Sequence, residues 1–253
     1  MMLLRAVVTG AGLAAIWELA ALAFDLPHYI LPRPSQVAAA WIENAPLILR
    51  HAGTTLLEML LGLAFGALLG AASALAIAHF RPLRRWLLPV LVASQAVPVF
   101  ALAPILVLWL GYGLASKVAM ATIIIYFPVA AAFLDGLRRT DRGWLDLAQV
   151  MGASPAAVLR HIRTPAALPA LGSGLRVAAA VAPIGAVIGE WVGSSAGLGY
   201  LMLQANARLR IDLMFAALLT LAVAAIALYY VTDAVVRRAL PWRPDTLTTD
   251  DME

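Results

Sequence analysis

The feature that most limits what this chain can become is a series of long apolar runs separated by short polar segments. A helix that crosses a bilayer needs about 20 mostly apolar residues. Six stretches come close to or exceed that length: residues 6–24, 54–78, 87–110, 118–134, 171–188 and 213–236. They explain why 63% of the residues are hydrophobic and only 13% charged, against about 45–50% and about 25% in ordinary soluble domains. A soluble fold of this size has no way to hide so much apolar surface. The excess must face lipid, or other helices within lipid. No stretch reads as a polar linker, so residues 1–253 are expected to form a single transmembrane domain. The expected fold class is all-α, a polytopic membrane protein with about six transmembrane helices.

Three of the runs carry further information. Arg5 precedes the first, and Ala21-Leu22-Ala23 has the small residues of a signal-peptide cleavage site. The length of the run and the Trp17-Glu18 interruption favour a retained span instead. The second run spaces Gly62, Gly66 and Gly70 four apart, which puts them on one helix face and permits close backbone approach. This is a packing seam, within the protomer or between protomers, or else ordinary glycine use in a membrane helix. The third run contains Pro89, Pro98 and Pro104. Proline frees a carbonyl and kinks a helix, so this segment is expected to be bent or partly unwound. Irregular backbone is tolerated at membrane depth only against protein or a cavity, which points to a pathway lined by the third helix. Gln95 lies beside it, facing that pathway or bonding to a neighbouring helix.

Orientation follows from arginine and lysine in short loops. With both termini cytoplasmic, the inner segments hold Arg5; Arg81, Arg84 and Arg85; Arg138, Arg139, Arg142, Arg160 and Arg163; and Arg237, Arg238 and Arg243. The outer loops then hold Arg33, Arg50, Lys117, Arg208 and Arg210, with Arg176 near the inner end of the fifth span. The first group far outnumbers the second. This bias puts the loop at residues 135–170 in the cytoplasm.

Within that loop, residues 146–151 are good helix formers. Gly152 permits a turn that a side chain would resist. Ser154-Pro155 reads as a helix start, with a serine oxygen to cap free amides and proline at the first helical position. The second short helix is expected to end at Thr164-Pro165, because the residue before proline is pushed out of helical geometry. The result is a cytoplasmic helix–turn–helix knob with small apolar residues, among them Ala148 and Ile162, beside basic ones.

This loop resembles the cytoplasmic motif of ATP-binding-cassette importer permeases: Glu-Ala-Ala, three residues, Gly, nine residues, Ile, one residue, Leu-Pro. Ala148, Gly152, Ile162 and Pro165 match at the right spacing, and Asp146 stands in place of the glutamate. Leu147 and Thr164 depart from the pattern. The resemblance implies a type I importer permease whose Asp146, Ala148, Gly152, Ile162 and Pro165 belong to a coupling element that docks on a separate ATPase subunit. That partner would bind the ATP. The resemblance also implies an extracytoplasmic solute-binding protein, a homodimer of permease cores and residence in the cytoplasmic (inner) membrane. Leu31-Pro32-Arg33-Pro34-Ser35, Gly111-Tyr112-Gly113 and the run from Gly189-Glu190-Trp191 to Gly197-Leu198-Gly199 resemble the branch that imports nitrate, sulfonates, taurine and thiamine precursors. The segments 190–202 and 212–217, with Glu58, are most similar to permeases for hydroxymethylpyrimidine, the pyrimidine precursor of thiamine.

Other chemistries find little support. The chain has no cysteine, which removes disulfides and thiolate sites. It has no Gly-x-x-x-x-Gly-Lys-Ser/Thr, and Lys117 is its sole lysine, so it carries no phosphate-cradling loop of its own. Gly193-Ser194-Ser195-Ala196-Gly197 fits a nucleophile-elbow pattern, but it follows a membrane helix and no histidine lies beyond His161. A glycine-rich bend at the outer end of the fifth span is the better reading, and no catalytic residue is expected. His28, His51, His79 and His161 show no metal-ligand spacing, so no metal or cofactor is assigned. There is no basic stripe with interleaved aromatics to bind nucleic acid. Charges near the membrane interior are costly and seldom idle. Glu58 is therefore a candidate pathway or inter-helix residue, or an interface residue that snorkels. Glu190 is a candidate for bonding backbone at an outer gate. Gln95 completes this set of pathway candidates.

Overall fold

A backbone in lipid must bond to itself, and this chain does so as helix after helix. The computed structural model describes residues 2–25 and 27–242. Arg243, counted above for the charge bias, lies outside them. The elements are α1 (Met2–Ala23), α2 (Pro34–Glu43), α3 (Ala45–His79), α4 (Arg81–Ala96), α5 (Val99–Leu110), α6 (Leu114–Arg138), α7 (Arg142–Val150), α8 (Pro155–Val158), a π turn (Leu159–Arg163), α9 (Thr164–Gly193), α10 (Leu198–Ala207) and α11 (Ile211–Ala239).

Four helical stretches among the described residues are long and apolar enough to cross a membrane alone: α3, α6, the run Pro155–Gly193 and α11. Shorter apolar helices, Val8–Ala23 and Val99–Leu110, accompany them. The third apolar run is broken. The chain leaves helical geometry at Val97 and Pro98, with ψ of 120° and 115°, so α4 and α5 are separate helices. This is the unwinding its prolines foretold. With 35 residues, α3 is about 52 Å long at about 1.5 Å per residue. It exceeds the roughly 30 Å hydrocarbon core and starts well before the apolar run begins.

The core is a three-helix layer with α6 in the middle. The Gly62/Gly66/Gly70 seam packs within the protomer: a Cβ on Gly62 would strike Ala121, and one on Gly70 would lie 2.9 Å from the Tyr126 carbonyl. On its other side α6 receives α9 through Gly174, Gly185 and Gly189, where a Cβ on Gly185 would lie 2.6 Å from the Ala121 Cα. Ala121 is thus held between two glycines and fully buried. Packing of this closeness replaces the hydrophobic drive that lipid cannot supply between helices.

Polar side chains fix the outer members. Glu18, the odd residue of the first span, accepts hydrogen bonds from the Ser35 amide (3.0 Å) and hydroxyl (2.9 Å). It anchors α1 to the start of α2. Trp41 of α2 donates to Thr220 of α11 at 3.0 Å. Arg176 and Arg237 both pair with Asp233, tying α9 to α11.

One expectation about the loop fails. Helix continues through Thr164 and Pro165 instead of stopping there. The chain widens into the π turn, where the Thr164 amide bonds the Leu159 carbonyl five residues back. The wider turn relieves the clash of a proline ring with the preceding carbonyls. Pro165 then falls in the first turn of α9, where its missing N–H is not needed.

Candidate functional site

At the ends of α6 and α9 that face α7, the loop builds its knob from local bonds. Asp141 Oδ1 caps α7 by accepting from the Gly143 amide at 2.7 Å. Gly152 ends it with φ +72°, and the Ala153 amide bonds back to the Ala148 carbonyl at 2.9 Å. This is the glycine-terminated helix end that satisfies otherwise free carbonyls. A Cβ on Gly152 would meet nothing within 4 Å. The demand for glycine here is therefore one of backbone angle, not of space. Ser154 Oγ accepts from the Ala157 amide at 3.3 Å, as its position before Pro155 suggested.

The five loop candidates divide. Ala148, Ile162 and Pro165 line one cleft of about 1100 Å³ between the knob and the helix ends. Asp146 and Gly152 are on the exposed surface, outside that cleft. The knob's most prominent feature lies outside the five candidates. Trp144, Leu147, Val150 and Met151 are exposed, the last two at 86% and 77%. Their spacing of three and four was the available signal, since it puts them along one side of a helix.

Some 21 residues along α6, about 32 Å by helical rise, lies a second constellation. Thr55 and Glu58 come from α3, Lys117 from the first turn of α6 and Glu190 from the last turn of α9. All are buried; Glu58 is 0% exposed and Lys117 5%. Lys117 Nζ is 3.1 Å from Glu58 Oε1. Thr55 Oγ1 donates to Glu190 Oε1 at 2.6 Å and accepts from the Leu198 amide at 2.7 Å. Glu190 Oε2 accepts from the amides of Gly199 and Tyr200, the free donors at the start of α10. A carboxylate there answers both the amides and the helix dipole. His51 Nδ1 accepts from the Gly197 amide at 3.0 Å. Gly197 has φ +109°, and a Cβ there would collide with the Glu190 carboxyl. The glycine-rich bend after α9 is thus what lets the chain fold back onto Glu190.

Glu58 is buried and pairs across helices with Lys117 of α6. Lys117 is corrected: it is no outer-loop charge but a buried member of α6. Its partner lies 59 positions away in sequence, and a single sequence gives no means of matching them. Gln95 falls on α4, and its side chain lies outside the described residues.

A glycine-seamed helical core, locked at one end and presenting an uncovered knob at the other, defines an all-α membrane-spanning protein. Over residues 45–242 the chain matches the family described as the binding-protein-dependent transport system inner membrane component, and it belongs to that family. A probable ABC transporter permease protein of Haemophilus influenzae is 53% identical to it, over 93% of this chain and 96% of the relative. The formylaminopyrimidine transport permease protein ThiX of Halalkalibacterium halodurans is 36% identical, over 91% and 92%. The riboflavin transport system permease protein RibX of Chloroflexus aurantiacus is 35% identical, over 91% and 87%. In fold, the chain is similar to one from the MetNI methionine ABC transporter in inward-facing conformations, with a TM-score of 0.68 over 78% of this chain and 97% of that one, at 20% identity. The chain is the inner-membrane permease subunit of an ABC importer and not an enzyme. Membership of the family implies an ATPase and a substrate-binding protein as partners.

Proposed function

We propose that the knob at residues 141–163 is the coupling element, and that it seats Leu147, Val150 and Met151 in a groove of the ATPase. The observation that carries this reading is an apolar stripe left uncovered on a rigidly capped turn. Asp146 and Gly152 flank the stripe. Ala148, Ile162 and Pro165 line the cleft between the knob and the ends of α6 and α9. The arginine bias orients the knob and both termini toward the cytoplasm. The ATPase binds ATP, and two copies of this chain enclose the pathway. Closure of the ATPase pair rocks the α3–α6–α9 layer as a unit, because the two states differ in their contacts with the knob. Glu58 and Glu190 keep the outer gate on that unit, with Gln95 on the broken third segment beside the pathway.

The substrate we infer is a pyrimidine precursor of thiamine. Support comes from the segments 190–202 and 212–217 and from the 36% identity to a permease named for formylaminopyrimidine. Sulfonates are the second reading, since the taurine permease TauC of Escherichia coli is 30% identical. The test is uptake of labelled hydroxymethylpyrimidine, taurine and riboflavin by cells expressing the full transporter. Uptake of the pyrimidine, lost on Gly152→Val, is the expected outcome. Taurine uptake alone overturns the substrate, and normal transport by Gly152→Val overturns the coupling assignment.

A further inference from the structure

A second groove, of about 470 Å³, lies where the end of α3 meets α8 and the π turn. Leu75, Ala76 and Leu159 give it apolar walls, with Phe80, His79 and Arg160 at its edge. His79, Phe80 and Arg160 are exposed. The chain next enters α4 with Arg81, Arg84 and Arg85, and then Trp86, which is 78% exposed. Among the described residues neither Arg85, Arg160 nor His79 has an acidic partner. Exposed aromatics beside arginines are the pattern of a membrane–water boundary. A basic pocket between helices on the cytoplasmic side suits an anionic headgroup.

We propose that this groove binds an anionic phospholipid of the cytoplasmic leaflet. The phosphate sits between Arg160 and the start of α4, and the upper part of an acyl chain lies along Leu75, Ala76 and Leu159. The orientation rests on the reading given above. A free phosphate would leave the apolar walls unused, and a zwitterionic lipid would gain less from the cations. Leu159 and Arg160 belong to the π turn that ends the knob and leads into α9. A lipid seated there braces the end of α3 against the coupling element.

The test is native mass spectrometry of the full chain released from mixed micelles of phosphatidylglycerol and phosphatidylcholine. The expected result is selective retention of phosphatidylglycerol. Arg160→Gln lowers its occupancy about fivefold, the effect of one arginine near a headgroup. Leu75→Trp fills the floor and lowers occupancy with every cation intact, in a chain whose melting temperature is checked in parallel. Glycerol phosphate does not displace the lipid. Equal retention of both lipids overturns the proposal, as does unchanged occupancy in Arg160→Gln or displacement by glycerol phosphate. ATPase co-purification is read separately. A chain that captures the ATPase but shows no lipid preference rejects the lipid site and leaves the coupling reading intact.

Discussion

At the Lys117 end of α6, polar side chains turn inward and find partners: Lys117 with Glu58, and Glu190 with Thr55 and two amides of α10. At the Arg138 end, apolar side chains turn outward and stay uncovered, Val150 and Met151 foremost. Each arrangement is the reverse of what its surroundings favour. Charges buried in a membrane helix cost free energy unless they are paired, and large apolar side chains in water mark a contact surface. The first end is thus paired within the chain, whereas the second carries the surface proposed above to meet the ATPase. The same closely packed helices carry both, and under the proposed coupling they are the route from the knob to the polar cluster.

The difference can be broken most forcefully at the ion pair. Lys117→Met leaves Glu58 buried beside no cation, and removing one partner of such a pair costs about 3–5 kcal/mol. Thermal unfolding in detergent should show the loss. Adding Glu58→Gln should restore most of it, because the charge that lacked a partner is then gone. A single variant as stable as the wild type would mean that the pair does not hold the helices. A smaller effect is expected along the seam. Gly185→Ala puts a methyl 2.6 Å from backbone of α6, and overpacking of this kind costs about 1–3 kcal/mol. Gly53→Ala serves as its control, since a Cβ there meets nothing within 4 Å. It should instead stabilise α3 by roughly 0.5–1 kcal/mol.

The knob was the more legible of the two ends. Gly152, Ser154 and Pro155 carry their geometry in their own side chains or lack of one, and each behaves as its position in the sequence suggests. The same holds for the proline break at Val97-Pro98 and the bend before Leu198. Local chemistry misled at Thr164-Pro165, because a proline normally ends a helix and only the π turn accommodates it. The polar cluster was barely legible. Glu58 and Glu190 stood out as acids near the membrane interior, but their partners come from other helices. Lys117 looked like a loop charge because the fourth apolar run begins only at residue 118. Pairings between distant helices leave no mark on the spacing within any one of them.

The smallest stability change is expected at the knob, and it carries the most weight. Val150→Asp alters an exposed position, where substitutions usually stay within about 0.5 kcal/mol. It should nevertheless put a charge into the ATPase groove. The decisive measurement sets Val150→Asp beside the Lys117→Met/Glu58→Gln chain, with melting temperature and ATPase capture read on both. Val150→Asp is expected to melt like the wild type and to fail to capture the ATPase, while the double variant still captures it. A Val150→Asp chain that captures the ATPase normally would contradict the coupling assignment.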